Sequence, residues 1–263
     1  MQECRMKMIR IILKIIMWVL IGGFLTNFIL RNVSYSFYKG NKQKENVNVI
    51  PEKVNYTDTL TGYAYNLDQE SDSVILCFGG SFYTAYNTVG IFAANFDVPF
   101  LGVDYYGTQD SKGKMNLRSM QASAEALYDW AKEKYPGRKI IVIGHSYGSG
   151  MAAYLASVRE CDHLFLAAGY RDLSDLYNRI VPIFWGPLKV FISDDIKVSD
   201  YATQTSCPVT IIGSEADNTL GSALQKELAK SYESSDLIIF PDIDHEYYLT
   251  DQRVISLIQE IVK

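Results

Sequence analysis

The hydrophobic pattern divides the chain into an apolar N-terminal run, a polar segment and a region of alternating strand and helix patterns. Residues 11–30 read IILKIIMWVLIGGFLTNFIL, which is long and apolar enough for one transmembrane helix. Residues 1–10 form a basic segment before it, and the polar residues 31–53 after it predict a tether. Residues 54–263 carry the pattern of one folded domain.

The apolar run has a second interpretation, a cleaved secretory signal. The apolar core of a signal is usually about 7 to 15 residues long and ends in small residues, whereas this run is longer and ends in NFILRNVSYS. These features favour an uncleaved single-pass membrane anchor. Basic residues stand on both sides of the run, and we expect the N-terminus inside and the folded domain on the extracytoplasmic side.

Short apolar runs alternate with helix-length segments after residue 54. A hairpin pattern, VNYTDTLTGYAYN, comes first, and the runs SVILCF, PFLGVD, KIIVIG, HLFLAA, PVTIIG and DLIIF follow. Amphipathic segments include 117–135 and 254–262. The alternation predicts an α/β fold with a mostly parallel central sheet flanked by helices. In such sheets the chemistry occurs at the carboxyl ends of the strands.

Composition narrows the possible partners and cofactors. The 263 residues are 48% hydrophobic, which is enough for one large core, and the formal net charge of -5 offers no basic surface for nucleic acid. The cysteines are scattered without metal-binding spacing, and Cys77 stands inside a buried-strand run. We therefore expect no metal, no organic cofactor and no nucleic acid partner, and the oligomeric state stays open.

The stretch GHSYG begins at the last residue of the run KIIVIG and places Ser146 between Gly144 and Gly148. This Gly-x-Ser-x-Gly spacing permits a sharp strand-to-helix turn that presents the serine hydroxyl above the sheet. We interpret Ser146 as a nucleophile. The structural alternative is a small-residue turn that only packs a helix against a strand.

A serine nucleophile needs a base, and the chain has three histidines. His145 is adjacent to the serine, so its side chain should leave the turn in another direction, and His163 begins a predicted strand. His245 lies in PDIDHEYYLT, after the last strand run and before the last helix, where a loop reaches the carboxyl edge of the sheet. His245 is the predicted base.

The base needs a carboxylate partner, and the segment SEADNTLG after PVTIIG offers Glu215 and Asp217. Asp217 is the predicted acid because it stands just before a predicted turn and helix. Glu215 is the alternative, and Asp244 is a third candidate.

Two further features complete the candidate site. The glycine pair in FGGSFYTAYN predicts an oxyanion hole formed by the backbone amides of Ser81 and Tyr147. Residues 170–206 predict a lid with an apolar face, which either lines an acyl pocket or simply packs on the domain. The candidate substrate-binding side chains are Phe82, Tyr177, Phe184 and Trp185.

The motifs GHSYG, FGGS, VDYYGTQDSKGK and CPVTIIGSEAD together resemble the α/β-hydrolase superfamily of serine hydrolases, in particular its small-lid, membrane-associated acyl hydrolases. The resemblance covers residues 54–263 and implies an α/β-hydrolase fold with a short lid insertion after the N-terminal transmembrane helix. It also implies that Asp104 is structural and holds its loop. Two positions depart from the pattern: Gly79 replaces a histidine and Tyr106 replaces an arginine.

These features predict a serine hydrolase that cleaves an ester or thioester of a small or lipid-like apolar acyl group through an acyl-serine intermediate. A peptidase or an acyltransferase would use the same three residues with a different acyl group or acceptor. A non-catalytic binding module that kept the fold is the alternative outside enzymes.

Overall fold

The computed structural model describes residues 2–39, 41–44 and 46–263. Met1 of the predicted basic segment and Gly40 and Glu45 of the predicted tether lie outside the described residues.

One sheet of eight strands organises the domain, in the order β1-β2-β4-β3-β5-β6-β7-β8. The strands β1 and β2 form the predicted hairpin, β2 is antiparallel to β4, and the remaining neighbours are parallel. All six predicted apolar runs are strands, which confirms the mostly parallel sheet. The strand bounds are β1 Glu52–Asn55, β2 Thr61–Tyr65, β3 Ser73–Phe78, β4 Phe100–Val103, β5 Lys139–His145, β6 His163–Ala167, β7 Val209–Ser214 and β8 Asp236–Phe240.

Helices cover both faces of this sheet. Successive residues of a strand point to opposite faces, so a strand that is apolar throughout needs cover on both. In β3, Leu76 joins one hydrophobic cluster together with Leu127 of a flanking helix, while Ile75 joins a second cluster with Val254 of another. The helix bounds are α1 Gln2–Ser36, α2 Ala85–Phe92, α3 Leu117–Lys134, α4 Ser149–Val158, α5 Leu173–Asn178, α6 Val198–Ala202, α7 Ser222–Ala229 and α8 Gln252–Val262. The predicted helices at 117–135 and 254–262 are thus confirmed as α3 and α8.

The lid, residues 170–206, connects β6 to β7 and contains α5, α6 and the 3₁₀ turn Gly186–Phe191 between them. It lies beyond the carboxyl end of β6, on the edge of the sheet where the loops after the other parallel strands also emerge.

The N-terminal helix is longer than the predicted span and continues into the predicted tether. By length and composition, Cys4–Ser36 is able to cross a membrane. Described residues of the rest of the tether bond to α2: the Lys44 amide donates to Asn87 Oδ1 at 2.7 Å and the Val49 amide donates to the Gly90 carbonyl at 3.0 Å. The polar composition of the predicted tether gives no sign of these contacts.

Asp104 follows β4 and is buried, and its Oδ1 accepts the Ala85 amide at 2.8 Å, at the first turn of α2. This contact agrees with the loop-holding role that the family resemblance implied. Burial is the largest influence on the carboxyl and raises its pKa to about 7.

Replacement of Asp104 by asparagine is therefore expected to change how stability depends on pH. A carboxyl whose pKa is higher in the folded than in the unfolded chain binds more protons when folded, so wild-type stability should fall as pH rises from about 4 to about 7 and level off above. Asp104→Asn removes this decline, which is at most about 4 kcal/mol for a shift of this size. Urea denaturation in detergent across this pH range measures it.

The matched control is Asp242→Asn, at an exposed carboxylate that is paired with Arg253 and does not act on Asp104. An exposed ion pair contributes little, so this variant should keep the wild-type decline. An Asp104→Asn profile parallel to the wild-type profile between pH 4 and 7 would contradict the raised pKa.

Candidate active site

Ser146 occupies the sharp turn between β5 and α4 that the Gly-x-Ser-x-Gly spacing predicts. Its φ angle is +53°, in the left-handed region. A Cβ at Gly148 would meet the Phe78 and Gly79 carbonyl oxygens, and one at Gly144 would lie 2.6 Å from the Ala152 side chain. Glycine at both positions lets the turn pack directly against β3 and α4.

The structure brings Ser146, His245 and Asp217 together at the carboxyl edge of the sheet. His245 Nε2 lies 2.9 Å from Ser146 Oγ, and His245 Nδ1 lies 2.9 Å from Asp217 Oδ2. A carboxylate only accepts hydrogen bonds, so Nδ1 carries the ring proton and Nε2 of the neutral ring is free to accept one from the serine. This is the arrangement in which an imidazole acts as a base toward a hydroxyl.

The Asp217 carboxylate is held by donors on both oxygens. Oδ1 accepts the amides of Thr219 and Leu220, each at 2.8 Å, while Oδ2 accepts from His245 and from the Tyr248 hydroxyl at 3.2 Å. Burial alone would raise the pKa of this carboxyl, but the bonds from His245 and the two amides outweigh it, and the net pKa is lowered. Asp217 is therefore ionised at neutral pH.

His145 was not predicted to take part in the site, yet its ring supports the loop that carries His245. His145 Nε2 lies 3.0 Å from the His245 carbonyl oxygen, to which it donates. Burial, aided by the neighbouring His245, lowers the pKa of His145 to about 4, so the ring stays neutral. No sequence signal distinguishes this contact, because it joins residues 100 positions apart.

The other candidates lie outside this arrangement. Glu215 is exposed and pairs with Lys226 of α7 at 3.0 Å. His163 is buried in β6, where its Nε2 lies 2.9 Å from Thr210 Oγ1. Asp244 stands at the start of the short 3₁₀ turn that contains His245, and its side chain makes no capping hydrogen bond there.

The loop after β3 lies directly against Ser146. A Cβ at Gly80 would be 2.8 Å from the Ser146 Cβ, so only glycine permits this approach. Ser81 and Tyr147 both line the cavity beside the serine, which is where the predicted oxyanion hole requires their amides.

The two departures from the family pattern have different surroundings. A Cβ at Gly79 would collide with the ring of Tyr83, whose hydroxyl donates to the Cys77 carbonyl at 3.3 Å. Tyr83 therefore fills the space beside Gly79, where the family resemblance implied a histidine. The Tyr106 amide donates to Ser123 Oγ at 3.1 Å, which ties its loop to α3.

A cavity of about 440 Å³ opens beside Ser146 and has a largely apolar wall. Phe82 and Tyr177, both predicted as binding residues, line it. Phe184 and Trp185 do not: Phe184 is completely buried next to Tyr177, at 6.0 Å between ring centroids, and 63% of the Trp185 surface is exposed. Leu176 and Ile180 of the predicted apolar lid face line the cavity too, and so do Phe37 and Phe92, which the sequence reasoning missed.

The sheet order, the turn that carries Ser146 and the lid after β6 define the α/β-hydrolase class. A family model described as the alpha/beta hydrolase fold matches residues 74–184. The chain therefore has the α/β-hydrolase fold.

Several curated relatives have lipase names. Lysophosphatidylserine lipase ABHD12 of Danio rerio is 30% identical over 142 residues, which cover 48% of this chain and 37% of that protein. The protein of the same name from Xenopus tropicalis is 26% identical over 145 residues, covering 49% of this chain and 37% of the relative. The matched part thus spans little more than a third of these relatives.

Solved structures share the fold over most of the chain. Esterase Pf2001 of Pyrococcus furiosus superposes with a TM-score of 0.61 at 18% identity, covering 82% of this chain and 91% of the esterase. Esterase Rv0045c of Mycobacterium tuberculosis gives a TM-score of 0.59 at 16% identity, covering 80% and 90%.

Proposed function

We propose that this protein is a membrane-anchored serine hydrolase that cleaves carboxylic esters of apolar acyl groups through an acyl-serine intermediate. The observation that carries the proposal is the chain of hydrogen bonds from Ser146 through His245 to Asp217 beside an apolar cavity. The lipase names of the curated relatives and the esterase names of the structural neighbours support ester hydrolysis.

In the first half of the proposed reaction, Ser146 Oγ attacks the ester carbonyl carbon while its proton moves to His245 Nε2. The Ser81 and Tyr147 amides donate to the oxyanion of the tetrahedral intermediate, and Asp217 stabilises the imidazolium. When the intermediate collapses, the carbon–oxygen bond to the alcohol breaks and the alcohol leaves with the proton from His245.

In the second half, water takes the place of the alcohol. His245 accepts a proton from the water as its oxygen attacks the acyl carbon, and collapse of the second intermediate returns that proton to Ser146 Oγ. The carboxylic acid leaves and the enzyme is restored. His145 takes no proton in this sequence, because it donates its own to the His245 carbonyl and thereby holds the loop.

The cavity wall and α1 support an amphiphilic acyl ester as the substrate class. Aromatic and aliphatic side chains of the loop after β3 and of α5 enclose the space next to Ser146. A helix able to cross a membrane leads directly into the domain. A lysophospholipid, the substrate class named for the curated relatives, has one acyl ester of this kind.

Labelling with a fluorophosphonate probe tests the proposed nucleophile. We expect the full-length protein in detergent to form a covalent adduct that peptide mapping assigns to Ser146, because the probe reacts with a serine activated by a neighbouring base. Absence of an adduct from native protein, or its appearance only after denaturation, would favour the non-catalytic binding module.

Acyl-chain selectivity tests the proposed pocket. Each buried methylene is worth roughly 0.8 kcal/mol, about fourfold in kcat/KM when the contact is made in the transition state, so kcat/KM should climb from acetyl to medium-chain esters until the cavity is full. Ile180→Ala and Leu176→Ala should flatten that climb because both residues line the cavity.

The control for this series is Leu237→Ala, at an aliphatic residue of β8 outside the cavity wall, which should keep the wild-type slope. Equal kcat/KM for acetyl and octanoyl esters in the wild-type protein would contradict the proposed preference for apolar acyl groups. It would not contradict the proposed roles of Ser146, His245 and Asp217.

A further inference from the structure

One face of the N-terminal helix packs against the lid. Gly23 has no side chain, and the ring of Phe191 occupies the space where its Cβ would stand, 2.5 Å away. Phe24 meets the same ring edge to face, with 5.2 Å between centroids. The buried residues of α1 and of the turn after it recur every three or four positions and so lie along one face. They are Gly23, Asn27, Leu30, Ser34 and Tyr38.

Polar contacts fix the level at which the lid meets the helix. Asn27 Nδ2 donates to Ser193 Oγ at 2.9 Å, and the Arg31 guanidinium pairs with Asp194 at 3.3 Å. The lid is thus held beside the last turns of α1, from Gly23 to Ser34, and not at the end of a long connection.

The part of α1 beside the lid still carries the apolar surface of a membrane helix. Residues 4–22 are exposed on every side, and beyond them Phe28, Ile29 and Val33 remain exposed on the face away from the lid. The Phe24 contact lies six residues before Leu30, the end of the apolar run, which is about 9 Å along a helix axis. A bilayer that covers the whole apolar run therefore reaches the level of the lid.

The lid presents its own apolar side chains at that level. Three large apolar side chains within eleven residues of the lid are mostly exposed: Ile180 at 67%, Trp185 at 63% and Val190 at 68%. Exposed apolar residues grouped in this way are unusual in a domain that faces only water. Ile180 also lines the cavity, as does Ser34 of α1. The mouth of the cavity consequently opens between the lid and the C-terminal end of α1.

We infer that lid residues 180–191 insert into the leaflet that holds the C-terminal half of α1, and that the cavity mouth opens into this leaflet. The occupant of the apolar lid surface is the acyl-chain region of that leaflet. An amphiphilic ester then reaches Ser146 by moving sideways out of the leaflet, without first dissolving in water. This inference rests on the proposed function, which supplies the anchor and the acyl site.

The three tryptophans of the chain test the insertion, since they stand in α1, in the domain body and in the lid. Trp18 is an exposed residue of α1, Trp130 packs edge to face on Tyr56 at 5.2 Å, and Trp185 belongs to the lid. Three full-length variants each keep one tryptophan, with the other two replaced by phenylalanine, in phosphatidylcholine nanodiscs with or without bromine on the acyl chains. We expect brominated lipid to quench Trp18 and Trp185 and to leave Trp130 unchanged.

A fourth variant, with Ile180→Trp as the sole tryptophan, tests the mouth and should also lose emission in brominated lipid. Quenching of Trp18 without quenching of Trp185 would overturn the inserted lid and leave the anchor in place. Failure of brominated lipid to quench Trp18 would overturn both the membrane anchor and the inserted lid. A tryptophan at position 180 that responds to iodide in water and not to brominated lipid would overturn entry from the leaflet.

The fluorophosphonate adduct, measured on the three variants that each keep one native tryptophan, reports on the proposed chemistry separately, because Trp18, Trp130 and Trp185 lie outside the lining of the cavity beside Ser146. Labelling without quenching of Trp185 would overturn the inserted lid and leave the proposed function in place. Loss of labelling in all three variants would count against the proposed function instead.

Discussion

Replacement of Ser146 by alanine is expected to abolish fluorophosphonate labelling and to lower kcat for ester hydrolysis by about 10⁴-fold or more, because no other group can form the acyl intermediate. The fold should survive. Ser146 adopts a φ of +53°, and alanine is no more strained there than serine. Rates on a medium-chain ester and thermal unfolding of both proteins in the same detergent measure the two effects.

The control is Ser81→Ala, because Ser81 is proposed to contribute only its backbone amide, which alanine retains. This variant should keep labelling and most of the hydrolysis. Hydrolysis at the wild-type rate by Ser146→Ala would remove the nucleophile assignment, and a large loss in Ser81→Ala would show that its hydroxyl takes part.

Replacement of Asp217 by asparagine is expected to lower kcat by about 10⁴-fold, the size of effect seen when a triad loses its carboxylate. Asparagine has one acceptor oxygen, which the Thr219 and Leu220 amides already hold. Its NH₂ group would then face His245 Nδ1 and force that nitrogen to accept. The ring proton would move to Nε2, which could no longer take the proton of Ser146.

Glu215→Gln is the matched control, since Glu215 was the alternative acid and its carboxylate pairs with Lys226 at the surface. An exposed ion pair of this kind contributes little, and kcat should stay within about threefold of wild type. A ranking in which Glu215→Gln is the damaging change would move the orienting role to Glu215 and would require the loop after β7 to rearrange.

Much of this fold could be predicted because it depends on patterns within short segments of the sequence. Six strands are short continuous apolar runs, and the turn at Ser146 needs glycine on both sides at fixed spacing. Parallel strands present their carboxyl ends at one edge, so residues after β5, β7 and β8 were expected to meet there. That rule is why Ser146, Asp217 and His245 could be grouped although they are far apart in sequence.

The cavity wall could not be predicted in the same way. Between α5 and α6 the lid has little regular structure and hence no period that tells inward from outward side chains. Tyr177, Phe184, Trp185 and Ile180 are equally apolar in the sequence. Only the packing beneath the lid buries Phe184, turns Trp185 outward and leaves Ile180 at the mouth.

By itself, then, the sequence determined the α/β architecture, the strand-to-helix turn of Ser146 and an N-terminal helix able to cross a membrane, because each depends on periodicity or on the backbone needs of a few adjacent residues. The tertiary structure alone decided the support of the His245 loop by His145, the filling of the space at Gly79 by Tyr83 and the docking of α1 on the lid. These contacts join residues far apart in the chain, and their side chains acquire a role only from the neighbours that folding brings to them.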